Sequence, residues 1–335
     1  MSILPFKQWW VRFFDFPRLQ LVVIHVFVLI LFILLEDFST LHLSILVVLV
    51  ISLSWQAAKI YPYTSLAKKE VQNSSNTNHV ISMMSANILQ DNKQVNKFLN
   101  ILYACSPDLV IVLEANDWWE NELRSIEVDY PNTVKEPLSN YYGIILYSKL
   151  PLKDMKISYL IDKNIPSIHG KVQLHNTWIN LHCIHPMPPS PTENAESTDR
   201  DGELLYVAKN IIDKNKPSIV MGDLNDVAWS STTTIFQKIS QLLDPRKGRG
   251  FFNTFNAKIP LIKWPLDHLF ISSEFRIIEL KRPGKTGSDH YPMYAKLSFE
   301  PIKKDEQHTF ETATVEDIEQ AEEDINKAKE AHQNE

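Results

Sequence analysis

Two long apolar runs stand near the start of the chain. Leu19–Leu35 breaks its hydrophobic residues only with Gln20 and His25, and Leu41–Ile60 carries a single charge, Lys59. Neither run has a polar face, and each approaches the roughly 20 residues that cross a bilayer core. The pattern predicts two transmembrane helices within 19–60, forming a hairpin. An interfacial segment, 1–18, precedes it, and Trp9, Trp10, Phe13 and Phe14 there suit a headgroup boundary, as does Trp55. Residues 61–79 read as a linker, polar over Glu70–His79.

From 80 to 300 the apolar runs shorten, and many alternate with period two, as strands with one buried face do. Strands are predicted at 79–89, 108–115, 142–150, 171–185 with a hairpin turn at His175-Asn176-Thr177, 218–225, 266–273, 276–282 and 290–299. Helices are predicted at 93–104, 117–126, 197–214 and 232–241. Many strands with few helices pack naturally as an α/β sandwich of two mixed or antiparallel sheets with helices outside. The tail, 301–335, is rich in Lys, Glu and Ala and reads as a solvated helix or a disordered appendage.

Charge sharpens the division. The tail holds four lysines against eleven acids, while residues 80–300 hold 24 basic against 25 acidic side chains. A near-neutral middle lacks the broad basic footprint of a nucleic-acid binder. Lys7, Arg12, Arg18, Lys59, Lys68 and Lys69 flank the apolar runs, and only Glu36 and Asp37 lie between them. Positive flanks prefer the cytoplasm, which would put the large domain there. Cys105 and Cys183 match no metal-binding spacing and read as small buried hydrophobes.

The predicted strands end in chemistry. Asn87, Glu114, His185, Asp223 and Asn225 close strands, whereas Asp267, Asp289 and His290 open them. Any one of these has a bland explanation as turn material or a first exposed position. Together they would form one polar cleft if neighbouring strand ends converge. Asp223 and Asn225, two apart, share a face on an extended chain; His182 and His185, three apart, do not, so only His185 is expected in the cleft.

The ordered stretches "SANIL", "LVIVLEA", "YGIILYSKLPL", "CIHP", "MGDLND", "PLDHLF" and "GSDHYP" resemble the endonuclease/exonuclease/phosphatase superfamily over residues 80–299. "HPMPPSP" after the histidine is similar to its membrane-anchored bacterial members, which implies a bacterial plasma membrane. The resemblance implies a four-layer sandwich and a hydrolase of phosphate esters using magnesium, or manganese. It implies Glu114, Asn87 and Asp289 as metal-side residues, Asp223 as the base for the attacking water, and Asn225 as a phosphate-holding amide. His290 would meet the scissile phosphate with Asp267 orienting it, and His185 would be a second phosphate-facing imidazole.

That chemistry wants these residue types. Magnesium takes hard oxygen ligands, in-line displacement needs a base and charge stabilisation, and a histidine beside a carboxylate is held charged. The arginine common in relatives before the first catalytic histidine is missing between Arg124 and Arg200; His169 or Lys171 could stand in for it. Tyr142 could reach a phosphate or could pack at a strand edge. Arg246 and Arg249, in "DPRKGRGFFNTF", could grip phosphates or mark a basic surface turn. "PMPPSPTENAEST" reads as a rim or lid. The expected substrate is a phosphate ester, either a lipid-linked phosphate or DNA or RNA. An inactive membrane-anchored binding module is the alternative from another class, although no key side chain is lost. No obligate protein partner is implied.

Overall fold

The computed structural model describes residues 6–35, 39–211, 216–307 and 311–332. The predicted loop charges Glu36 and Asp37 lie outside these residues, as does the predicted helix end at 212–214. Near the N-terminus a short helix α1 (Trp9–Arg12) precedes α2 (Arg18–Leu35) and α3 (Thr40–Ile60), close to the two apolar runs. The segment Thr40–Tyr63 is long and apolar enough to cross a membrane; Arg18–Leu34 passes the same test only with Trp9–Asp15, from which it bends by 68°. Apolar side chains such as Val23, Phe27, Leu34, Val48 and Ile51 are exposed on these helices.

Two sheets form the remainder. Strands β1 (Val80–Asn87), β2 (Leu109–Leu113), β3 (Asn132–Glu136), β4 (Ile144–Ser148), β10 (Phe275–Lys281) and β11 (Met293–Phe299) make one, in the order β10-β11-β1-β2-β4-β3. Strands β5 (Leu152–Ser158), β6 (Ser167–Leu174), β7 (Thr177–Cys183), β8 (Ser218–Asp223) and β9 (Asp267–Ile271) make the other, in chain order. Helices α4 (Val95–Cys105) and α5 (Asp117–Glu122) cover the first sheet; α6 (Thr198–Asn210), α7 (Ser231–Ser240) and α8 (Val315–His332) cover the second.

Period-two patterning explains the layers. Ile81 and Met83 of β1, Ile111 and Leu113 of β2, and Ile219 and Met221 of β8 enter the core between the sheets. Their neighbours Met84, Ala86, Val110 and Val112 face α4 and α5, while Val220 faces α6 and α7. The strand interiors are thus apolar on both sides.

The same parity builds the site. Asn87, His185, Asp223 and Asp267 continue the inward rows of Met83, Cys183, Met221 and Leu269 by even steps. β1 runs parallel to β2, and β7 runs parallel to β8, so the C-terminal ends of each pair lie together. β9 runs antiparallel to β8, with Asp267 opposite Asp223. Residues from strand ends and strand starts therefore meet at one end of the sandwich. Gly222 permits the approach: at φ +150°, a Cβ there would stand 1.9 Å from the Ile184 carbonyl oxygen.

The flanking segments pack on the sandwich. The tail carries a helix, one of its two readings, but docked rather than fully solvated: α8 packs on α6 and buries Ala321, Asp324, Ile325 and Ala328. The linker is tied down. Val71 is in the inter-sheet core, the Ile277 amide donates to the Gln72 carbonyl (3.0 Å), and the Ser74 amide donates to the Ile277 carbonyl (2.8 Å). The interfacial segment also packs on the sandwich, with Lys7 Nζ 2.9 Å from Asp201 and 2.7 Å from Asp324. The edge strands β3 and β5 were not predicted.

Candidate active site

Asn87 sits at the centre of the polar cluster. Its Nδ2 donates to Glu114 Oε1 at 2.7 Å and to Asp223 Oδ2 at 3.1 Å, and its Oδ1 accepts from the Leu89 amide at 3.1 Å. The Asn225 amide donates to Asp223 Oδ1 at 3.0 Å, which closes a turn and fixes the carboxylate. Glu114 (φ 59°) and Asn225 (φ 50°) both adopt the left-handed region, which side-chain-bearing residues enter at a cost that concentrates at functional sites.

His290 bridges two carboxylates. Its Nδ1 is 2.8 Å from Asp267 Oδ2, and its Nε2 is 3.5 Å from Asp223 Oδ2. Burial disfavours its charge, but Asp223 and Asp267 overcome that and push its pKa up to about 10, so it is an imidazolium at neutral pH. Burial likewise pushes the Asp223 carboxyl up, yet the charged His290 holds it below the usual carboxylate range. His185, with Nε2 3.9 Å from Asp223, behaves oppositely: burial pulls it down to about 4, so it is neutral at neutral pH. Its Nδ1 is buried without a partner.

Glu114 is pushed up to about 7, foremost by burial, with Asp223 and Asp289 adding to the rise. It is a half-buried acid lacking full counter-charge. Glu114 and Asp289 line the cleft with hard oxygen donors, the ligand type that a divalent cation such as magnesium takes. Asp223, Asp267 and His290 also place ligand atoms within 4.8 Å of one another. There, however, the imidazolium already occupies the space between the carboxylates, so this trio satisfies itself.

These groups open into a cavity of about 770 Å³. Glu114, Tyr142, His185, Asp223, Asn225, Asp289 and His290 line it, with Asn87 and Asp267 behind. The Tyr142 ring is 5.3 Å from that of His185, and its hydroxyl donates to Glu193 in the proline-rich stretch, which forms the rim. The Asn225 side chain donates to the Pro186 carbonyl at 2.9 Å, tying that rim to the floor.

Arg246 and Arg249 are elsewhere, which corrects their reading as substrate-binding residues. Arg246 is fully buried, with Nη2 2.7 Å from Asp244 Oδ2 and Nη1 donating to the Asp267 carbonyl at 3.1 Å. Arg249 donates to the carbonyls of Val71 (2.6 Å) and Pro245 (3.0 Å). His169 pairs with His182 at 2.8 Å and Lys171 with Asp154 at 3.2 Å, so neither replaces the missing arginine. Sequence reasoning missed Arg200, whose Nη1 donates to the Asn225 carbonyl at 3.0 Å while Asp201 and Asp226 flank it. It also missed the apolar wall of Trp9, Phe13, Phe16, Phe255 and Trp264.

A cleft of this make-up, on a double-sheet sandwich, defines a phosphoesterase-type hydrolase. The chain belongs to the Endonuclease/Exonuclease/phosphatase family, whose model matches residues 74–290. Among solved structures it is similar to D. rerio TDP2 complexed with single strand DNA product, at 16% identity and TM-score 0.55, covering 65% of this chain and 99% of that one. It is also similar to the human Nocturnin catalytic domain with bound sulfate anion (15%, TM-score 0.53, 66% and 94%). A third likeness is the endonuclease/exonuclease/phosphatase from Bacteroides vulgatus (16%, TM-score 0.54, 66% and 99%). At these identities the likeness is one of fold. No curated protein matches the chain.

Proposed function

We propose that the protein is a membrane-anchored, divalent-metal-dependent phosphoesterase that hydrolyses a lipid-linked phosphate. In this reading α2 and α3 form a hairpin in a bacterial plasma membrane, and the sandwich faces the cytoplasm. One observation carries it: the polar floor opens into a cavity walled by Trp9, Phe13 and Phe16, just before the apolar helix α2, and no lysine or arginine lines that cavity among the described residues. A polyanionic strand would want cations along its track; a single phosphate headgroup does not.

The residues divide the work by protonation. Asp223, held ionised and aimed by Asn87 and the Asn225 amide, takes a proton from the attacking water. His290, pinned by Asp267, offers positive charge to the phosphate oxygens. Neutral His185 stands at the same floor, its Nε2 3.9 Å from Asp223, as a second imidazole beside the phosphate. Glu114 and Asp289, with Asn87 beside them, would hold the metal. Bound there, magnesium or manganese would neutralise charge on the phosphate and the leaving oxygen.

The test is hydrolysis by the full chain in detergent with magnesium, offered phospholipids, polyprenyl pyrophosphates, DNA and RNA, and repeated with Asp223→Ala. Loss of about a hundredfold to ten-thousandfold is expected from removing the base; an unchanged rate removes Asp223 from the chemistry. A nuclease is the second reading, favoured by the DNA product in the similar D. rerio structure. Turnover of DNA or RNA but of no lipid phosphate would select it.

A further inference from the structure

The cleft is polar on its floor and aromatic along one wall, and that wall leads somewhere. The Phe255 ring lies 5.0 Å from the His290 ring and stacks on Trp264 at 5.9 Å with 27° between planes. Trp264 in turn meets Phe16 edge-on at 5.4 Å and Phe13 at 6.3 Å. Phe16, Phe255 and Trp264 share a cluster with Leu19 and Val22, in the first turns of α2. Beside them the Gln20 side chain donates to the Leu261 carbonyl at 3.0 Å, which brings a loop with exposed Ile259, Leu261 and Ile262 alongside α2. One apolar strip thus runs from the His290 ring on the cleft floor to the surface of α2.

We propose that this strip is the track for the hydrocarbon chain of the substrate, so that the segment Trp9–Phe16 is part of the substrate site and sets its chain-length preference. The inference rests on the lipid-phosphate reading above and adds to it the residues that recognise the tail. The occupant follows from what the strip joins. A ligand filling it must be anionic at the floor, apolar over the aromatic wall, and at home beside an exposed hydrophobic helix. An alkyl or isoprenoid phosphate has that sequence of properties. The aromatic faces also suit it, since they give large apolar contact without ordering long side chains.

Full-length protein in nanodiscs is offered p-nitrophenyl phosphodiesters carrying ethyl, octyl or hexadecyl chains, with magnesium. The expected result is a kcat/KM that climbs with chain length, by up to about fourfold per buried methylene, until the strip is filled. Phe13→Ala and Trp264→Ala should each lower the hexadecyl-to-ethyl ratio by about tenfold. Using a ratio separates tail recognition from any loss of folded protein. A hexadecyl phosphate bearing a terminal diazirine should crosslink within residues 9–16 or 255–264. If long-chain esters are preferred but neither variant moves the ratio and crosslinks fall elsewhere, the track is wrong and the lipid reading stands. If chain length has no effect while the ethyl ester is hydrolysed, both fall.

Discussion

His290 and Asp267 form a fixed pair: the imidazole Nδ1 is 2.8 Å from the carboxylate, and Asp267 lies directly across the β8–β9 ladder from Asp223. One strand pairing therefore places in register the carboxylate proposed as proton acceptor and the one that supports the His290 ring. Asp267→Asn keeps the shape but removes the charge that holds the ring. It should lower kcat by about a hundredfold or more, measured on a short phosphodiester, with little change in melting temperature. An unaltered kcat would mean that the pair only ties two strands together.

Arg246 predicts the reverse pattern. It is buried against Asp244, and truncation leaves that carboxylate uncompensated. Arg246→Ala should cost about 3–5 kcal/mol of stability, read by denaturant unfolding, while KM in the remaining folded protein stays near its original value. A KM effect without loss of stability would restore it to the substrate site.

Gly202 lets α8 dock. A Cβ there would stand 2.4 Å from the Cβ of Ala328. Gly202→Val should therefore push the C-terminal helix off α6 at about 1–3 kcal/mol. Limited proteolysis reads the change directly: the variant should lose its tail faster than the parent, and equal rates would show that α8 docks by other contacts.

Glu203 gives a pH dependence away from the cleft. It is buried with Oε1 unpartnered; burial, aided by Asp162 and Asp199, pushes its pKa from 4.5 up to about 8. A carboxyl that binds its proton more tightly when folded favours folding at low pH. Its contribution is full below pH 4.5 and is lost as pH rises through about 8. Glu203→Gln keeps a neutral side chain throughout. The parent's melting temperature should accordingly fall relative to the variant's across that window, and parallel profiles would refute the shift.

Strand interiors were readable in the sequence because both faces are buried: Ile81, Met83, Met84 and Ala86 serve two different cores and together make a short apolar run. The polar strand ends were readable for the same reason, since Asn87, Asp223 and Asp267 break apolar rows that would otherwise continue. β3 and β5 were not, because as edge strands they are only partly buried and keep a polar composition. Arg246 misled because its partner, Asp244, belongs to the same short run, and burial of an ion pair leaves no mark in composition. Trp9 and Phe13 looked like headgroup anchors, whereas both line the cavity; an aromatic residue near an apolar helix reads alike whether it faces lipid or a cavity. The docking of α8 hid behind its charge, because the alanines that seat it are too small to raise its hydropathy.

The junction between the helical pair and the sandwich carries a mechanical corollary. Arg18, the first residue of α2, grips Asp15 at 2.5 Å and Gln56 of α3 at 2.7 Å; Arg12 reaches Ser231 of α7 at 3.1 Å, and Lys7 joins α6 to α8. A hinge needs slack, and these bonds leave none. Whatever tilts α2 and α3 must tilt the hydrolase with them, so the heading of its mouth is inherited from the helices instead of being sampled by free rotation.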